Sequence, residues 1–584
     1  MLVERSSLVS TALRADGTVE PALTFELERL DGGEAALAVT CTADEPIEAG
    51  VRVELRLDPT ADPGWLVPGV FYGENRPANC ARLYPRFVVG RTDIEAMESD
   101  AWSFRADRCA TPAVFARGGA LVTTEESALG QSGVGFAYEE ERPVLRLHFP
   151  YREEPLRYDG SETASPPDVQ VHRWSPRETA VLRFAVHELD DDAHAYADVL
   201  RSVHAAAPVP EDPGWVSVEE AAELAAWGLY RWHYRPDPPR LLETVAFDRG
   251  PSGERDAMHV SWVSGAPYAY ALLRHGRRVG NAHYVAAAES VLDHIARNLT
   301  PGGTFWSQWT ASGGWTAGWH PDRTRLHART LADATLFMLR AGPRWDEAAR
   351  SNVAVACRTQ RADGALPAAH DVETGNAVSW EGTAGLAWIP ALVEAGELEA
   401  ARRAGEYYRR RDFFNGAPED VDLAPTSEDG YAAVMAFVAL EDWEAARRAA
   451  DWMLTFRYTY DVAFSPRTML GHYGFRTRGA DQASPPNQHL HAFGLICLPE
   501  MVRLARAIGD DYYLTRAREN LDCFRQFIAR EDGDFGAYRG MTTERYYQTD
   551  CFEAKGMLLG LSHAWSVGVL LYACEAALEL PELA

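Results

Sequence analysis

The feature that most limits how this chain can fold is a change of period at Ser217. Before it, short segments alternate apolar and polar residues. After it, apolar residues recur at helical spacing to the C-terminus. The pattern predicts twelve helices, over 217–233, 266–278, 281–298, 328–341, 345–358, 383–395, 397–412, 430–440, 442–456, 490–507, 511–529 and 562–579. After even-numbered helices the connections are a few residues long, around Gly280, Gly342, Gly396, Glu441 and Gly509. After odd-numbered ones they run to roughly fifteen to thirty residues, and long structureless connections are uncommon unless functional. Short connections make antiparallel neighbours, so the expectation is six hairpins in a closed ring, with every long loop on one face.

The N-terminal part reads as antiparallel β-structure. ALTFELERL (22–30), ALAVTCTA (36–43) and VRVELRLDP (51–59) alternate as half-buried strands do, and later segments continue the pattern between turn-rich breaks. Many short strands without a helical period between them predict a sandwich. The expected division is a β-sandwich domain over 1–191, a linker helix and Pro-punctuated linker over 192–216, and a helical domain over 217–584. With 17 Trp, 23 Tyr and 22 Phe the chain has ample core material, which excludes disorder. The net charge of −28 repels phosphate backbones and anionic membranes, so neither nucleic acid nor membrane is an expected partner. No classical signal segment or membrane-length apolar run is visible, and the expected location is the cytoplasm. Eight scattered cysteines without a CxxC pair predict reduced thiols.

In domain order and hairpin number, residues 217–584 resemble the (α/α)6 toroid of the six-hairpin glycosidase superfamily. The preceding β-part resembles the arrangement in bacterial glucoamylase-like enzymes. The resemblance implies carbohydrate chemistry on an oligosaccharide or glycoside, without naming the sugar or the oligomeric state.

The long loops carry residues suited to that chemistry. The first holds His259 and Trp262; the second holds Trp306, Trp309, Trp315, Trp319, His320 and Arg325. Aromatic faces stack on sugar C–H faces, and indole N–H and Arg groups donate to hydroxyls or carboxylates. The alternative to a sugar platform is that these Trp residues plug the barrel mouth. Glu381 is expected in the first turn of a helix capped by Ser379, and Glu428 and Asp429 in one capped by Ser427, positions that also suit a capping acid. The fifth loop adds His472, Tyr473, Arg476, Asp481, His489 and His491. At helical spacing the last two diverge by about 200°, which argues against a shared metal. The last loop adds Tyr546, Tyr547, Asp550, Glu553 and the sole lysine, Lys555, for which salt-bridge duty is expected. No metal or cofactor is expected: EDGD in this loop lacks the spacing of a calcium loop. In the β-part, 65–87 breaks strand alternation and concentrates polar residues, among them Arg76 and Arg82. It is expected to reach over the barrel mouth.

Two chemistries suit this set. Glycoside hydrolysis needs two carboxyl groups flanking the bond. The resemblance favours Glu381 as general acid, with a base from Asp550 or Glu553, or from Glu428 or Asp429, and inversion as the outcome. A lyase or uronate epimerase instead abstracts a proton beside a carboxylate, using Tyr or His, with Arg, His or Asn neutralising the charge. His472, Tyr473, Arg476, His489, Tyr546 and Tyr547 suit that task. A non-catalytic glycan-binding protein is the third reading.

Overall fold

The computed structural model describes residues 8–160, 162–209, 214–250, 253–318, 323–416 and 423–583. In the N-terminal part, one antiparallel sheet orders Leu8–Leu13, Ile47–Arg56, Arg142–Phe149, Gly133–Glu139 and Ala101–Arg105, with His172–Trp174 also paired to Ile47–Arg56. A second orders Leu23–Arg29, Glu34–Cys41, Thr179–Glu188, Ala120–Thr124, Ala113–Ala116, Leu66–Val67 and Phe71–Tyr72. Alternation sets the faces. In Thr179–Glu188, Ala180, Leu182 and Phe184 are buried while Thr179, Val181 and Arg183 are exposed. Val53, Leu55, Phe136 and Leu145 of the first sheet join Leu37, Val39, Val114 and Leu182 of the second in one buried apolar cluster.

The helices are α1 (Ala197–Ala206), α2 (Val218–Gly228), α3 (Ala266–Val279), α4 (Ala282–Ala296), α5 (Ala328–Ala341), α6 (Asp346–Thr359) and α7 (Trp388–Ala395). They continue with α8 (Leu398–Tyr408), α9 (Ser427–Ala439), α10 (Trp443–Met453), the short α11 (Met469–His472), α12 (Leu498–Ile508), α13 (Asp511–Arg525) and α14 (Ala564–Ala577). Along the inside, α3 packs on α5, α5 on α7, α7 on α9, α9 on α12, α12 on α14, and α14 on α3. Each inner helix also packs on an outer one: α4, α6, α8, α10, α13 and, for α14, the first helix α2. The ring therefore closes by joining the two ends of the helical sequence. Burial records the same layout: all fourteen residues of the inner α14 are buried, whereas α4 buries five of fifteen. Gly280, Gly396 and Gly509 end α3, α7 and α12 with positive φ, which lets the chain reverse within two or three residues. No helix among the described residues is long and apolar enough to cross a membrane.

Three local expectations change. Ser379 ends a short strand, and a 3-10 turn over Ala384–Ala387 precedes α7, so Glu381 lies ahead of the helix rather than in its first turn. The cap of α9 is Thr426, not Ser427: its Oγ1 accepts from the Asp429 backbone N–H, and the Asp429 carboxylate accepts from the Thr426 backbone N–H. The segment before α12 is not helical at His489 and His491. Leu490–His491 pairs with Asp481–Gln482 as a two-residue antiparallel ladder, followed by a 3-10 turn over Phe493–Cys497.

The segment 65–87 docks on the helical part. Tyr72 stacks on Phe456 with centroids 4.6 Å apart and its hydroxyl lies 2.8 Å from Thr455 Oγ1. Gln482 Nε2 donates to Gly69 O at 2.7 Å, and Arg82 Nη2 donates to Asn487 Oδ1 at 3.1 Å.

Candidate active site

The long connections lead into the N-termini of the inner helices, so those first turns surround one cleft. It is lined by Trp262 ahead of α3, Thr426 and Glu428 at the start of α9, Asn487, His489, His491 and Phe493 ahead of α12, Glu544 and Arg545 of the last loop, and Trp565 of α14. From α5, Arg329 pairs with Glu428, and its guanidinium sits 4.7 Å from the ring centroids of both Trp262 and Phe493. Asp333, one turn further along α5, lies 3.4 Å from Arg329; burial pushes its carboxyl up to about 6 despite that neighbour.

Two imidazoles, His489 and His491, line this cleft, and a third, His563, pairs with its Glu544. Ser427 Oγ donates to Ala483 O at 3.1 Å, so it accepts from His491 Nε2 at 2.9 Å. With the Ser427 proton on Ala483 O, Nε2 carries the proton and Nδ1 is the basic atom of His491; the Tyr431 hydroxyl lies 3.4 Å from the same Nε2. His489, 4% exposed, has an Nδ1 with no partner. His489 sits in the bend just ahead of the Leu490–His491 strand, and the two ring centroids are 6.2 Å apart. The helical divergence expected from sequence does not apply. Burial, together with Arg545 near His489, holds His489 well below the ordinary imidazole value, and burial lowers His491 too. Both are neutral at pH 7. His563, at the cap of α14, has Nε2 2.7 Å from Glu544 Oε2 and an unpartnered Nδ1. Burial alone would raise Glu544, but His563 and Arg545 hold its carboxyl well below the usual range. Among the described residues no group of three or more His, Cys, Asp and Glu is placed to hold a metal ion.

Of the residues singled out from sequence, Trp262, Glu428, His489 and His491 line the cleft. His259 lies behind it, fully buried, with Nε2 3.3 Å from Thr330 Oγ1. Tyr547 is a neighbour of Arg545 and Glu553. The others lie elsewhere. Glu381 and Glu553 are exposed and do not line the cleft. Asp429 is engaged in its capping box. Asp550 joins the last loop to the strand-rich part: burial would raise it, but Arg105, 2.5 Å away, and Arg108 hold it down to about 2.

Arg76 is buried within the strand-rich part, donating to the carbonyls of Tyr84 and Ala96. Trp309 lies under the Arg240 guanidinium and, with Trp315, packs against His294 of α4. Trp306 packs on the helical core. The described tryptophans of this loop, Trp306, Trp309 and Trp315, thus pack within the helical part and do not line the cleft. Trp319 and His320 lie outside the described residues. Arg325 pairs with Asp371 in a strand ladder. His472 is exposed on α11. The Tyr473 hydroxyl accepts from the Phe535 N–H, Arg476 is bound through its backbone to Gln526, and Tyr546 stacks on Phe475.

Asp481 is a structural residue: fully buried, it accepts from Arg457 at 2.7 and 3.0 Å and from Asn520 at 3.0 Å. Asp481→Ala leaves Arg457 buried and uncompensated, and should lower unfolding free energy by about 3–5 kcal/mol. Chemical denaturation of the variant tests this, with activity expected to fall only in proportion to the folded fraction.

The sequence reading passed over Arg329, Glu544, Arg545, His563 and Trp565. The first and last occupy the opening turns of inner helices, a position that is readable once the helices are paired.

No family model matches the chain, and no curated protein matches it. Among solved structures, a polysaccharide lyase is similar over 96% of this chain and 88% of its own, at 9% identity and a TM-score of 0.46. A sugar epimerase from a ruminal bacterium is similar over 62% of this chain and 99% of its own, at 11% identity and a TM-score of 0.43. An α-mannanase of Bacteroides thetaiotaomicron is similar over 62% of this chain and 96% of its own, at 10% identity and a TM-score of 0.40.

Proposed function

We propose that the chain is a carbohydrate-active enzyme that moves a proton by histidine acid–base chemistry, at a sugar carbon next to a carbonyl or carboxylate. The outcome is epimerisation or β-elimination. The observation that carries this reading is the pair of neutral imidazoles, His489 and His491, with Nδ1 open on one and left basic by the hydrogen bonds on the other. A neutral imidazole accepts a proton at pH 7 without first losing one. Arg545 supplies a cation for the charge that develops beside the reacting carbon.

Hydrolysis is the second reading, favoured by two carboxyl groups, Glu428 and Glu544, in the same cleft. Against it, Arg329 engages the first, and the second is held as an acceptor by His563. One experiment separates the two. Incubation with acidic and neutral oligosaccharides in D2O should give solvent deuterium at a sugar carbon, or products absorbing near about 235 nm from an unsaturated uronate. New reducing ends with neither signal would establish hydrolysis and overturn the proposal.

A further inference from the structure

Away from the cleft, a cavity of about 780 Å³ opens between the strand-rich part and the helical part. One wall is the second sheet at Phe184 and His187; the opposite wall is α1 at Ser202 and Val203 and the segment Thr459–Ala463. Its size lies within the range of ligand sites, roughly 300–1,000 Å³.

Its polar groups define what fits. Lys555 Nζ donates to Asp107 Oδ2 at 2.9 Å, a bond that occupies one of its three N–H groups, and Lys555 is partly exposed to the cavity. Asp107 is itself held by Arg105 at 2.8 Å. Ser132, 1% exposed, lines the same space, and its Oγ has no hydrogen-bond partner. A buried hydroxyl left unpaired is costly, and a rotation that turns it toward the cavity would let a ligand hydroxyl satisfy it. Around the mouth stand Glu34, Glu125, Glu126 and Asp461, all exposed. Between them Tyr460, Phe184 and Val203 give apolar surface.

We propose that this cavity is a second saccharide-binding site, taking neutral, hydroxyl-rich oligosaccharide segments. Four carboxylates at the mouth repel anions such as uronates and phosphates. Lys555 and Arg183 disfavour an ammonium group, and His187, lowered by burial, adds no charge at pH 7. A hydroxyl both donates and accepts, so it can meet the mouth carboxylates as a donor and Lys555 as an acceptor. The apolar patches suit C–H faces of sugar rings. This site does not depend on the chemistry assigned to the cleft.

Calorimetric titration of the full chain with maltohexaose, cellohexaose, mannohexaose and xylohexaose tests it, with hexagalacturonate as the charged comparison. At least one neutral hexasaccharide should bind. Lys555→Met removes a charged donor, and Ala463→Trp, at an exposed position, fills the mouth. Each should weaken that binding by about tenfold or more. The proposal is overturned if no neutral hexasaccharide binds, if neither Lys555→Met nor Ala463→Trp weakens the binding, or if hexagalacturonate alone binds here.

Discussion

Replacing His491 by glutamine is expected to cut turnover by about 10²–10⁴-fold, the usual contribution of a positioned acid or base. Melting behaviour should stay near that of the parent chain. Glutamine keeps a polar group within reach of Ser427 Oγ, whose own proton goes to Ala483 O, so the local bonds can persist. What is lost is the basic Nδ1. His489→Gln should have an effect of the same order, because its Nδ1 is unpartnered and its ring lies 6.2 Å from that of His491. Because burial lowers both imidazoles, the acid limb of kcat/KM should lie below the ordinary histidine value of about 6.5, not at it. Initial rates after brief pH jumps measure this limb before unfolding intervenes. Hydrolysis by the two carboxyl groups predicts the opposite ranking, with Glu428→Gln and Glu544→Gln abolishing turnover and the histidine variants retaining much of it. Rates that survive both histidine changes within about tenfold would remove proton transfer by His489 and His491 as the mechanism.

The ring was legible because it follows from two simple properties of the chain. Helical period marked the twelve segments, and connection length told which neighbours pair. Closure by α2 against α14 then follows, since each is left without a sequence-adjacent partner. The cleft was only partly legible, for reasons visible in single residues. Glu381 and Glu428 look alike in sequence, each an acid a few residues ahead of or within an inner helix. The four residues of non-helical chain between Ser379 and the Ala384–Ala387 turn leave the first exposed, whereas the second sits inside α9 and meets Arg329. His489 and His491 read as helical because LHAFGLICLPEMV is continuous with α12 in apolar pattern. The ladder with Asp481–Gln482 holds His491 extended, with His489 in the bend just ahead of it. Tryptophan density misled for a related reason: Trp309 and Trp315 face each other across a small hairpin, and the partners that take up their faces, Arg240 and His294, come from outside that loop. Long-range pairing of this kind leaves no local signal.

The same burial that keeps imidazoles neutral should make the fold fragile to acid. Burial depresses His194 and His370 to about 4 and His233 and His259 to about 3. Each is held in a fixed bond, as His233 is between Leu242 O and Ser562 Oγ. Unfolded, all four would titrate near about 6.5. Between that value and the folded values the unfolded chain binds more protons than the native one, so stability falls as pH falls through this window. From about pH 7.5 to about 5.5 the loss is about 1.4 kcal/mol for each imidazole, roughly 5 kcal/mol for the four. His148, His489 and His491, also lowered, act in the same direction. Asp333 and Asp451 oppose it: burial raises both to about 6, so the native state gains protons there as pH falls. Their gain over the same interval is about 0.8 kcal/mol each, too little to cancel the loss. Acids held near 2, such as Asp550 and Glu519, do not titrate in this range. A net loss of roughly 4 kcal/mol is a large fraction of the 5–15 kcal/mol typical of a folded domain. Urea denaturation at the two pH values should therefore show a much lower midpoint at the acid one, with His370→Gln reducing the difference by about 1.4 kcal/mol. A midpoint that holds steady or rises on acidification would mean that these imidazoles accept protons in the folded chain, and the neutral state on which the cleft chemistry rests would lose its support.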